Sequence, residues 1–366
     1  MSKRKILFFS SNLNRTGAEI VLFDILHHID KSKFEIGLVL LERGGALVDQ
    51  ISPDIHVFYL DTQFTLLDKL KFHAGKNIIL DRLEFIQKQF SADIWYINTI
   101  QNAFLLQYKE ACRVTTFLHV HEYLYNFEQL EIKDAKRMFE RLDYLVACSE
   151  LVYAFFAPIF PKESFIFHSG INKNLIDQSL IGFIKPESDK KVIISSGTVC
   201  YRKGVDLFLA LSKEFTPSEY KFIWLGKWAN NGYAEVIRRQ ILTGSYPTVE
   251  FIEDLSPKEY YQTMACAHAF VTCSREESMG LVAMEAIYCG IPVLATNSGG
   301  SNLIINEANG FLSQDFRPST LAKELTNLLK NKKFDLAQMQ SSLSHFDIAK
   351  ECGKLEIALL SAPIQI

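Results

Sequence analysis

Two glutamates, Glu277 and Glu285, stand eight positions apart where a polar turn gives way to a helical pattern. A strand is predicted to end near Thr272, and a helix is predicted to start around Gly280. The start of a helix presents free backbone N–H groups and the positive end of the helix dipole, which favours a phosphate or another anion. Because eight residues is a little over two helical turns, one carboxylate can meet a sugar at the loop while the other meets a ribose along the helix.

Glu285 stands among apolar residues, including Ala283, Met284 and Ala286. Such surroundings are unusual for a carboxylate that has no role, because ionised groups are rarely buried unless they have partners. The alternative is that Glu277 is a solvated loop residue and Glu285 lies on the surface of an amphipathic helix. The apolar neighbours favour the functional interpretation.

Two basic residues follow another predicted strand, Val192–Ser196. Residues 197–204 read Gly-Thr-Val-Cys-Tyr-Arg-Lys-Gly and precede a helix predicted from about Val205. Arg202 and Lys203 can supply positive charge to a diphosphate, and Lys203 is the stronger candidate. The alternative is that both are solvated turn residues.

The first half of the chain offers a glycine and two histidines at strand ends. Gly17 lies where the first strand gives way to a helix, and the lack of a Cβ there allows close approach of a ligand to the backbone. His119 ends another predicted strand and His121 follows it, and the two point to the same side of an extended segment. We predict that His121 contacts a sugar hydroxyl, while one of the two histidines is a satisfied core residue.

The elements that position these residues alternate between short apolar runs and longer helical patterns, which predicts an α/β fold with parallel sheets. Eleven strands are predicted, at Lys5–Ser10, Phe34–Leu41, His56–Tyr59, Ile94–Asn98, Thr115–His119, Tyr144–Cys148, Val192–Ser196, Lys221–Leu225, Val249–Ile252, Ala269–Thr272 and Pro292–Ala295. The rhythm restarts after an aperiodic stretch, Ser179–Lys191, where we place a linker. We predict doubly wound domains at 1–175 and 190–345 that face a cleft, and a terminal helix within 346–366 that crosses back.

Composition narrows the class of protein. A chain of 366 residues exceeds what one core usually serves, and its net charge of −3 argues against a dedicated nucleic-acid binder. Seven scattered cysteines without a C-x-x-C pair suggest neither a zinc site nor a disulfide framework. The N-terminal apolar stretch is too short for a signal peptide, and no run approaches the roughly 20 apolar residues of a membrane span. We therefore expect a cytoplasmic protein.

The segment E-S-M-G-L-V-A-M-E-A at 277–286 resembles the E-x7-E motif of the retaining glycosyltransferase family 4. Further motifs of that family appear in family order across nearly the whole chain. They are T-G-A-E at 16–19, H-V-H-E at 119–122, A-C-S-E at 147–150, S-G-I-N at 169–172, R-K-G at 202–204, T-N-S-G-G at 296–300 and N-G-F-L at 309–312. Together these matches are highly specific.

This resemblance implies the GT-B fold, two Rossmann-like domains around a cleft, with the nucleotide-sugar donor on the C-terminal domain and the acceptor on the N-terminal domain. It also implies transfer with retention, in which the acceptor hydroxyl attacks the face that the diphosphate leaves. The implied catalytic residues are His121, Lys203 and Glu277. The implied donor-binding residues are Gly17, Gly197, Thr198, Arg202, Lys203, Glu277, Ser278, Met279, Gly280, Leu281 and Glu285.

No cofactor or metal is implied, because the chain contains no Asp-x-Asp pair that would hold a cation on the diphosphate. The co-substrate is expected to be a UDP- or GDP-sugar, and the acceptor a glycan or a lipid-linked hydroxyl, as in surface polysaccharide or glycolipid assembly. Thr198 stands where the family often has arginine, and Met279 where it often has an aromatic residue. Such departures leave the donor base and sugar open.

Two alternatives and one surface feature remain. A sugar-nucleotide epimerase uses the same architecture, and a nucleotide-binding partner subunit without activity would keep the fold but not the transfer.

The segment Phe64–His73 mixes apolar residues with lysines, which is compatible with peripheral contact with the inner face of a membrane. The alternative for this segment is an amphipathic helix packed on the first domain.

Overall fold

The computed structural model describes residues 3–62, 65–73, 75–128, 130–160, 162–331 and 334–365. The chain divides into two compact units, residues 1–170 together with 348–366, and residues 171–347. Each unit is a Rossmann-like α/β domain built on a parallel sheet.

The sheet of the first unit has the strand order β3-β2-β1-β4-β5-β6-β7 within the described residues. Its strands are β1 (Arg4–Ser10), β2 (Phe34–Leu40), β3 (His56–Tyr59), β4 (Ile94–Asn98), β5 (Thr115–Val120), β6 (Tyr144–Ala147) and β7 (Glu163–Ile166). The central strands are continuous apolar runs because helices cover both faces of a parallel sheet. The helices are α1 (Gly17–His28), α2 (Leu66–His73), α3 (Ile78–Phe90), α4 (Lys109–Cys112), α5 (Leu124–Phe127), α6 (Ile132–Arg141) and α7 (Glu150–Phe156), with 3-10 turns at Val48–Gln50 and Ile100–Tyr108.

The second sheet has the order β10-β9-β8-β11-β12-β13 in the described part of the chain. Its strands are β8 (Lys191–Ser196), β9 (Tyr220–Leu225), β10 (Val249–Ile252), β11 (Ala269–Thr272), β12 (Val293–Thr296) and β13 (Gly310–Ser313). The α-helices are α8 (Lys173–Leu180), α9 (Val205–Ser212), α10 (Gly232–Leu242), α11 (Pro257–Ala265), α12 (Leu281–Tyr288), α13 (Ser301–Ile304), α14 (Pro318–Asn331) and α15 (Leu336–Ser341), with a 3-10 turn at Tyr201–Lys203. Two apolar clusters cover its faces, since Ile194 joins one cluster and its strand neighbour Ile193 the other.

The last helix, α16 (Ile348–Ser361), groups with the first unit. Its Glu356 pairs with Lys33 at 2.8 Å and accepts a hydrogen bond from the backbone N–H of Asp30. Beyond the helix, the backbone oxygen of Pro363 accepts a hydrogen bond from Thr115. Side chains of the first unit thus anchor the end of the chain.

The observed division of the chain lies upstream of the linker predicted at Ser179–Lys191. It falls between Gly170 and Ile171 because Ile171 and Ile176 pack into the core of the second unit. Lys185, inside the predicted linker, donates a hydrogen bond to the backbone oxygen of Ala267. The polar composition of Ser179–Lys191 therefore marks a surface segment of the second unit and not the boundary between the two units.

Helices long and apolar enough to cross a membrane are absent from the described residues. Of the segment suggested for membrane contact, Phe64 lies outside the described residues, while Leu66–His73 forms helix α2. Leu66 and Phe72 are exposed on this helix, and Asp68 is buried in an ion pair with Arg82 at 2.8 Å.

Candidate functional site

The strongest cluster of charged side chains centres on Glu277, in the loop between β11 and α12. Its backbone N–H donates to the oxygen of Ser298, and its own oxygen accepts from the N–H of Gly300, so two loops are tied side by side. The carboxylate is only 5% exposed. Its Oε1 lies 2.6 Å from both the Lys203 ammonium and the Ser274 hydroxyl, and its Oε2 lies 3.4 Å from the guanidinium of Arg202.

Burial and the neighbouring cations have opposite effects on the pKa of Glu277. Burial favours the neutral acid, but the neighbouring Lys203 and Arg202 cations outweigh burial and lower the pKa to about 2. The carboxylate is therefore ionised at neutral pH. Two cations facing one anion leave the cluster with a net positive charge, which suits an additional anionic ligand.

The conformation of Gly204 explains how Lys203 reaches Glu277. It adopts the left-handed conformation with φ of 67°, and a Cβ built on it would lie 1.9 Å from the backbone oxygen of Cys273. Only glycine allows the β8 loop to approach the β11 loop so closely. The side chain of Lys203 folds back along Gly197, whose φ is 140° and whose added Cβ would lie 3.3 Å from the lysine stem.

Arg275 and Asp206 form a second ion pair beside this loop, which the sequence analysis missed. The guanidinium and the carboxylate make two parallel hydrogen bonds of 2.8 and 2.7 Å, a strong bidentate arrangement. The Arg275 guanidinium also lies 3.9 Å from the centroid of the Tyr201 ring and donates to that residue's backbone oxygen. Asp206 accepts a further hydrogen bond from Tyr233. These contacts fix the turn that carries Arg202 and Lys203.

Helix α12 begins at Leu281 directly after Gly280, which has φ of 95°. The first-turn amides of a helix have no intrahelical acceptors, so this end is suited to an anion. Ser278 is half-buried and Met279 is 3% exposed. The side chain of Met279 belongs to the apolar core, so only its backbone is available to a ligand.

Glu285 is half-buried on α12, and its carboxylate is held by two tyrosines of α11. Tyr260 donates to Oε2 at 3.1 Å, Tyr261 donates to Oε1 at 3.0 Å, and Tyr260 also bonds the Ser196 hydroxyl at 3.0 Å. The alternative of an unconstrained surface glutamate is therefore wrong. The tyrosine pair was not foreseen, because nothing in the sequence links residues 260 and 261 to 285. Thr198, by contrast, is exposed.

The residues predicted in the first unit lie at the carboxyl ends of β1 and β5. Gly17 is exposed and opens α1. His121 is half-buried, with Nε2 2.8 Å from Oδ1 of Asn98, and burial lowers its pKa to about 3, so the imidazole is neutral. His119 is fully buried, and its Nδ1 lies 2.8 Å from the hydroxyl of Tyr96. His119 is thus the core histidine of the two.

Glu122, next to His121, is a buried carboxyl group that the sequence analysis did not select. Its Oε2 accepts hydrogen bonds from the backbone N–H groups of His121 at 3.0 Å and Ile100 at 3.3 Å. Burial raises its pKa to about 7, with the nearby Glu19 carboxyl adding in the same direction, although the two N–H donors oppose this.

In the second unit, the loops after the adjacent strands β8 and β11 bring Arg202, Lys203 and Glu277 together, and the backbone of the loop after β12 bonds the backbone of Glu277. In open parallel α/β sheets, ligands bind outside the carboxyl ends of the strands, which is where these side chains lie.

Comparison with known proteins shows the fold and a family similarity. The solved structure of HepE from Anabaena in complex with UDP and glucose superposes with a TM-score of 0.79, covering 98% of this chain and all of that one, at 20% identity. The protein therefore has the GT-B fold. Residues 178–342 match the model of the family described as glycosyl transferases group 1.

Curated relatives agree with this match. A D-inositol 3-phosphate glycosyltransferase of Jonesia denitrificans is 32% identical over 38% of this chain and 34% of its own length. An uncharacterized glycosyltransferase of Methanocaldococcus jannaschii is 25% identical over 47% of this chain and 45% of its own length. The aligned segments thus span less than half of each of these relatives. Within the C-terminal half, residues 178–342 are thus similar to the glycosyl transferases group 1 family, and this similarity does not distinguish family 4.

Proposed function

We propose that this protein is a retaining glycosyltransferase of family 4 that moves a sugar from a nucleotide-diphosphate sugar to a hydroxyl acceptor. The observation that carries the proposal is the buried cluster of Lys203, Arg202 and Glu277 at the carboxyl edge of the second sheet. Its excess positive charge and the adjacent start of α12 fit a diphosphate, and its carboxylate fits the hydroxyls of the sugar attached to it.

The reaction proposed here needs no protein nucleophile. The acceptor oxygen attacks the anomeric carbon while the bond from that carbon to the diphosphate oxygen breaks, and a phosphate oxygen takes the acceptor proton. Lys203, Arg202 and the α12 amides stabilise the negative charge that develops on the leaving group. Glu277 positions the donor sugar, and Glu285, oriented by its two tyrosines, positions the ribose.

Neither a metal nor a cofactor takes part in this scheme, because the charge of the leaving nucleotide is met by protein cations and backbone amides. Addition of a chelator is therefore expected to leave the transfer rate unchanged. A loss of activity that a divalent cation restores would contradict this part of the proposal.

The donor is proposed to be a UDP-sugar, with a GDP-sugar as the next candidate. Support comes from HepE, whose structure holds UDP and glucose on the same fold. The acceptor is proposed to be a glycan or a lipid-linked hydroxyl, within surface polysaccharide or glycolipid assembly in the cytoplasm. Peripheral membrane contact through α2 and its flanking residues is part of this proposal, and sedimentation with anionic vesicles tests it, since a protein that stays in the supernatant has no such contact.

The primary experiment is a thermal-shift panel of the full chain with UDP, GDP, ADP and TDP and their common sugars. A ligand at 100 times its Kd stabilises the folded state by about 2.7 kcal/mol, which corresponds to a shift of several degrees. The Lys203→Ala variant should lose the shift. Lys221→Ala is the matched control, because Lys221 pairs with Glu250 at the opposite end of β9.

Selective stabilisation by one nucleotide, lost only in Lys203→Ala, supports the donor site and identifies the base. The absence of any shift overturns the proposal. Product analysis then separates transfer from its alternatives: an epimerase converts the nucleotide-sugar without an acceptor, and an inactive binding subunit shows the shift without turnover. The anomeric configuration of the product, read by NMR, tests retention.

A further inference from the structure

We propose that Asn98 is a positioning residue whose buried amide holds the imidazole of His121 in the tautomer protonated on Nε2, so that Nδ1 can only accept a hydrogen bond. The inference rests on the proposed function in one respect: it gives Nδ1 a partner, a hydroxyl of the bound sugar or of the acceptor. The tautomer itself follows from the contacts of the first unit.

The orientation of the Asn98 amide is set by a third group. Asn98 ends β4 and is fully buried, and its Nδ2 donates to the backbone oxygen of Ala18 at 3.2 Å. A carbonyl oxygen can only accept, so the nitrogen of the amide must face Ala18 and the oxygen must face His121. Oδ1 is also only an acceptor, and it lies 2.8 Å from Nε2. The proton of the neutral imidazole therefore sits on Nε2.

Asn98 is itself held from its backbone side. Its backbone oxygen accepts a hydrogen bond of 2.8 Å from Nδ2 of Asn102, and Oδ1 of Asn102 accepts one of 3.1 Å from Ser11. The following residue, Thr99, has a positive φ of 71°, a conformation that a β-branched residue adopts only when its surroundings enforce it. The amide that faces His121 is therefore fixed at both ends.

His121 is fixed from its other sides as well. Its backbone N–H donates to Glu122, and its ring lies 3.9 Å, centroid to centroid, from the ring of His119. The titratable groups around it are His119 on β5, Glu122, and Glu19 of α1, which interacts with Glu122. Burial keeps the imidazole neutral.

An imidazole with this tautomer has a defined chemical role. Nδ1 carries a lone pair and no proton, so it accepts a hydrogen bond from a sugar hydroxyl and orients it. It cannot protonate the leaving diphosphate, because its only proton is held by Asn98. This agrees with a reaction in which the acceptor proton passes to a phosphate oxygen.

Nitrogen-15 NMR of the histidine-labelled full chain tests the inference, with His121→Gln assigning the signals. In the native protein, Nδ1 of His121 should show the shift of an unprotonated ring nitrogen from pH 6 to 8. In Asn98→Ala, the two ring nitrogens should move toward averaged shifts. In Asn98→Asp, the added negative charge opposite Nε2 should raise the titration midpoint of His121 by at least one pH unit.

Asn309→Ala is the matched control, because it removes a fully buried amide in the second unit; it should leave the His121 titration unchanged. A native signal protonated on Nδ1 overturns the inference without any variant. An unchanged titration in a folded Asn98→Asp, or an unchanged tautomer in Asn98→Ala, also overturns it. Failure of the proposed function would show separately, as native NMR behaviour in a protein that transfers no sugar.

With a working transfer assay, the positioning role has a kinetic readout. Asn98→Ala should lower kcat/KM at least 10-fold, because Nδ1 is then no longer fixed as an acceptor. Asn98→Asp should shift the acidic limb of the pH profile upward by the same amount as the His121 midpoint. A loss of activity without that shift would indicate a structural role only.

Discussion

At the scale of single residues, two cations of the candidate site in the second unit contact the same carboxylate, that of Glu277. The sequence predicts that Glu277 contacts the donor sugar and that Lys203 and Arg202 contact the diphosphate. In the structure, both cations pair with the Glu277 carboxylate. Under the proposed function, a diphosphate that enters this cluster would compete with Glu277 for the two cations. The carboxylate would then restrain nucleotide binding while it positions the sugar.

Glu277→Gln should separate these two effects. The change removes the counter-charge of Lys203 and Arg202, so the ligand-free protein should lose about 3 kcal/mol of stability, as expected when one partner of a buried pair is removed. UDP should then stabilise the variant more than the native protein, while transfer falls at least 100-fold. Thermal shifts with and without UDP, combined with initial rates, measure both.

Glu250→Gln, at the opposite end of the sheet, is the control and should change neither quantity. A Glu277→Gln protein that turns over at the native rate, or that no longer responds to UDP, would contradict the assignment of this residue.

Glu122 makes stability depend on pH. Its folded pKa of about 7 lies above the usual value near 4.5, so its contribution is fully present below pH 4.5 and is lost as the pH rises through 7. Glu122→Gln keeps an oxygen for the two backbone donors but cannot ionise. The variant should be more stable than the native protein at pH 8 by roughly 1–3 kcal/mol, with the difference vanishing near pH 4.5. Denaturant unfolding at several pH values measures this, and parallel pH profiles would refute it.

Only some of these residues could be predicted from the sequence. Glu277, Lys203 and His121 could be predicted because they lie in motifs or at strand ends. Asn98 and the two tyrosines that hold Glu285 could not be predicted. Their contacts with His121 and Glu285 join residues that are 23 to 25 positions apart and meet only in the folded chain. A single sequence carries no local pattern for such tertiary contacts.

At the scale of elements, all eleven predicted strands are present, each within one residue of its predicted ends. Continuous apolar runs buried on both faces make such strands visible in a sequence. The two strands that were missed, Glu163–Ile166 and Gly310–Ser313, are the outermost strands of their sheets and have only four residues each. Each of these two strands has only two apolar residues, so its pattern does not differ from that of a loop. The equally short edge strands β3 and β10, which were predicted, have three apolar residues each.

The turn from β8 into α9 depends on Gly204. In Gly204→Ala the new Cβ would lie 1.9 Å from the backbone oxygen of Cys273, at a φ that costs roughly 1–2 kcal/mol for any residue with a Cβ. We expect a loss of stability of more than about 2 kcal/mol and loss of UDP binding, because the turn that carries Lys203 must move. Thermal unfolding and UDP titration measure these effects.

Gly232→Ala is the matched control, since Gly232 also opens a helix but a Cβ there would meet no atom within 4 Å. It should be neutral or stabilising by up to about 1 kcal/mol. A Gly204→Ala protein that behaves like Gly232→Ala would show that the close approach of the two loops is not required.

At the scale of the whole molecule, the chain leaves the first unit after Gly170 and re-enters it at Ile348. Both crossing points lie close to one cluster of charges. Nε2 of His168 lies 2.6 Å from Glu150, and its backbone N–H donates to Glu351 of α16 at 3.0 Å. Glu351 also pairs with Lys354 of the same helix. The cluster therefore joins the segment that leaves the first unit to the helix that returns to it.

This cluster should make the attachment of α16 depend on pH. The Glu351 carboxylate, whose Oε2 lies 3.4 Å from the His168 ring nitrogen Nδ1, raises the pKa of His168. The contribution of His168 is therefore present below its unfolded pKa near 6.5 and is lost as the pH rises through the higher folded value. Burial would raise the pKa of Glu351, but His168 and Lys354 lower it overall, so its contribution is present above about pH 4.5 and is lost only in stronger acid. Attachment should thus be strongest between about pH 4.5 and 6.5.

Hydrogen exchange of residues 348–361, corrected for the intrinsic effect of pH, measures this attachment locally. Protection should fall between pH 6 and 8.5 in the native protein, and His168→Gln should give low protection that hardly changes over the same range. His345→Gln, at an exposed histidine of the second unit, should follow the native profile. If protection in native α16 stays constant up to pH 8.5, the charged form of His168 does not hold the helix, and its apolar face and the Glu356–Lys33 pair attach it to the first unit.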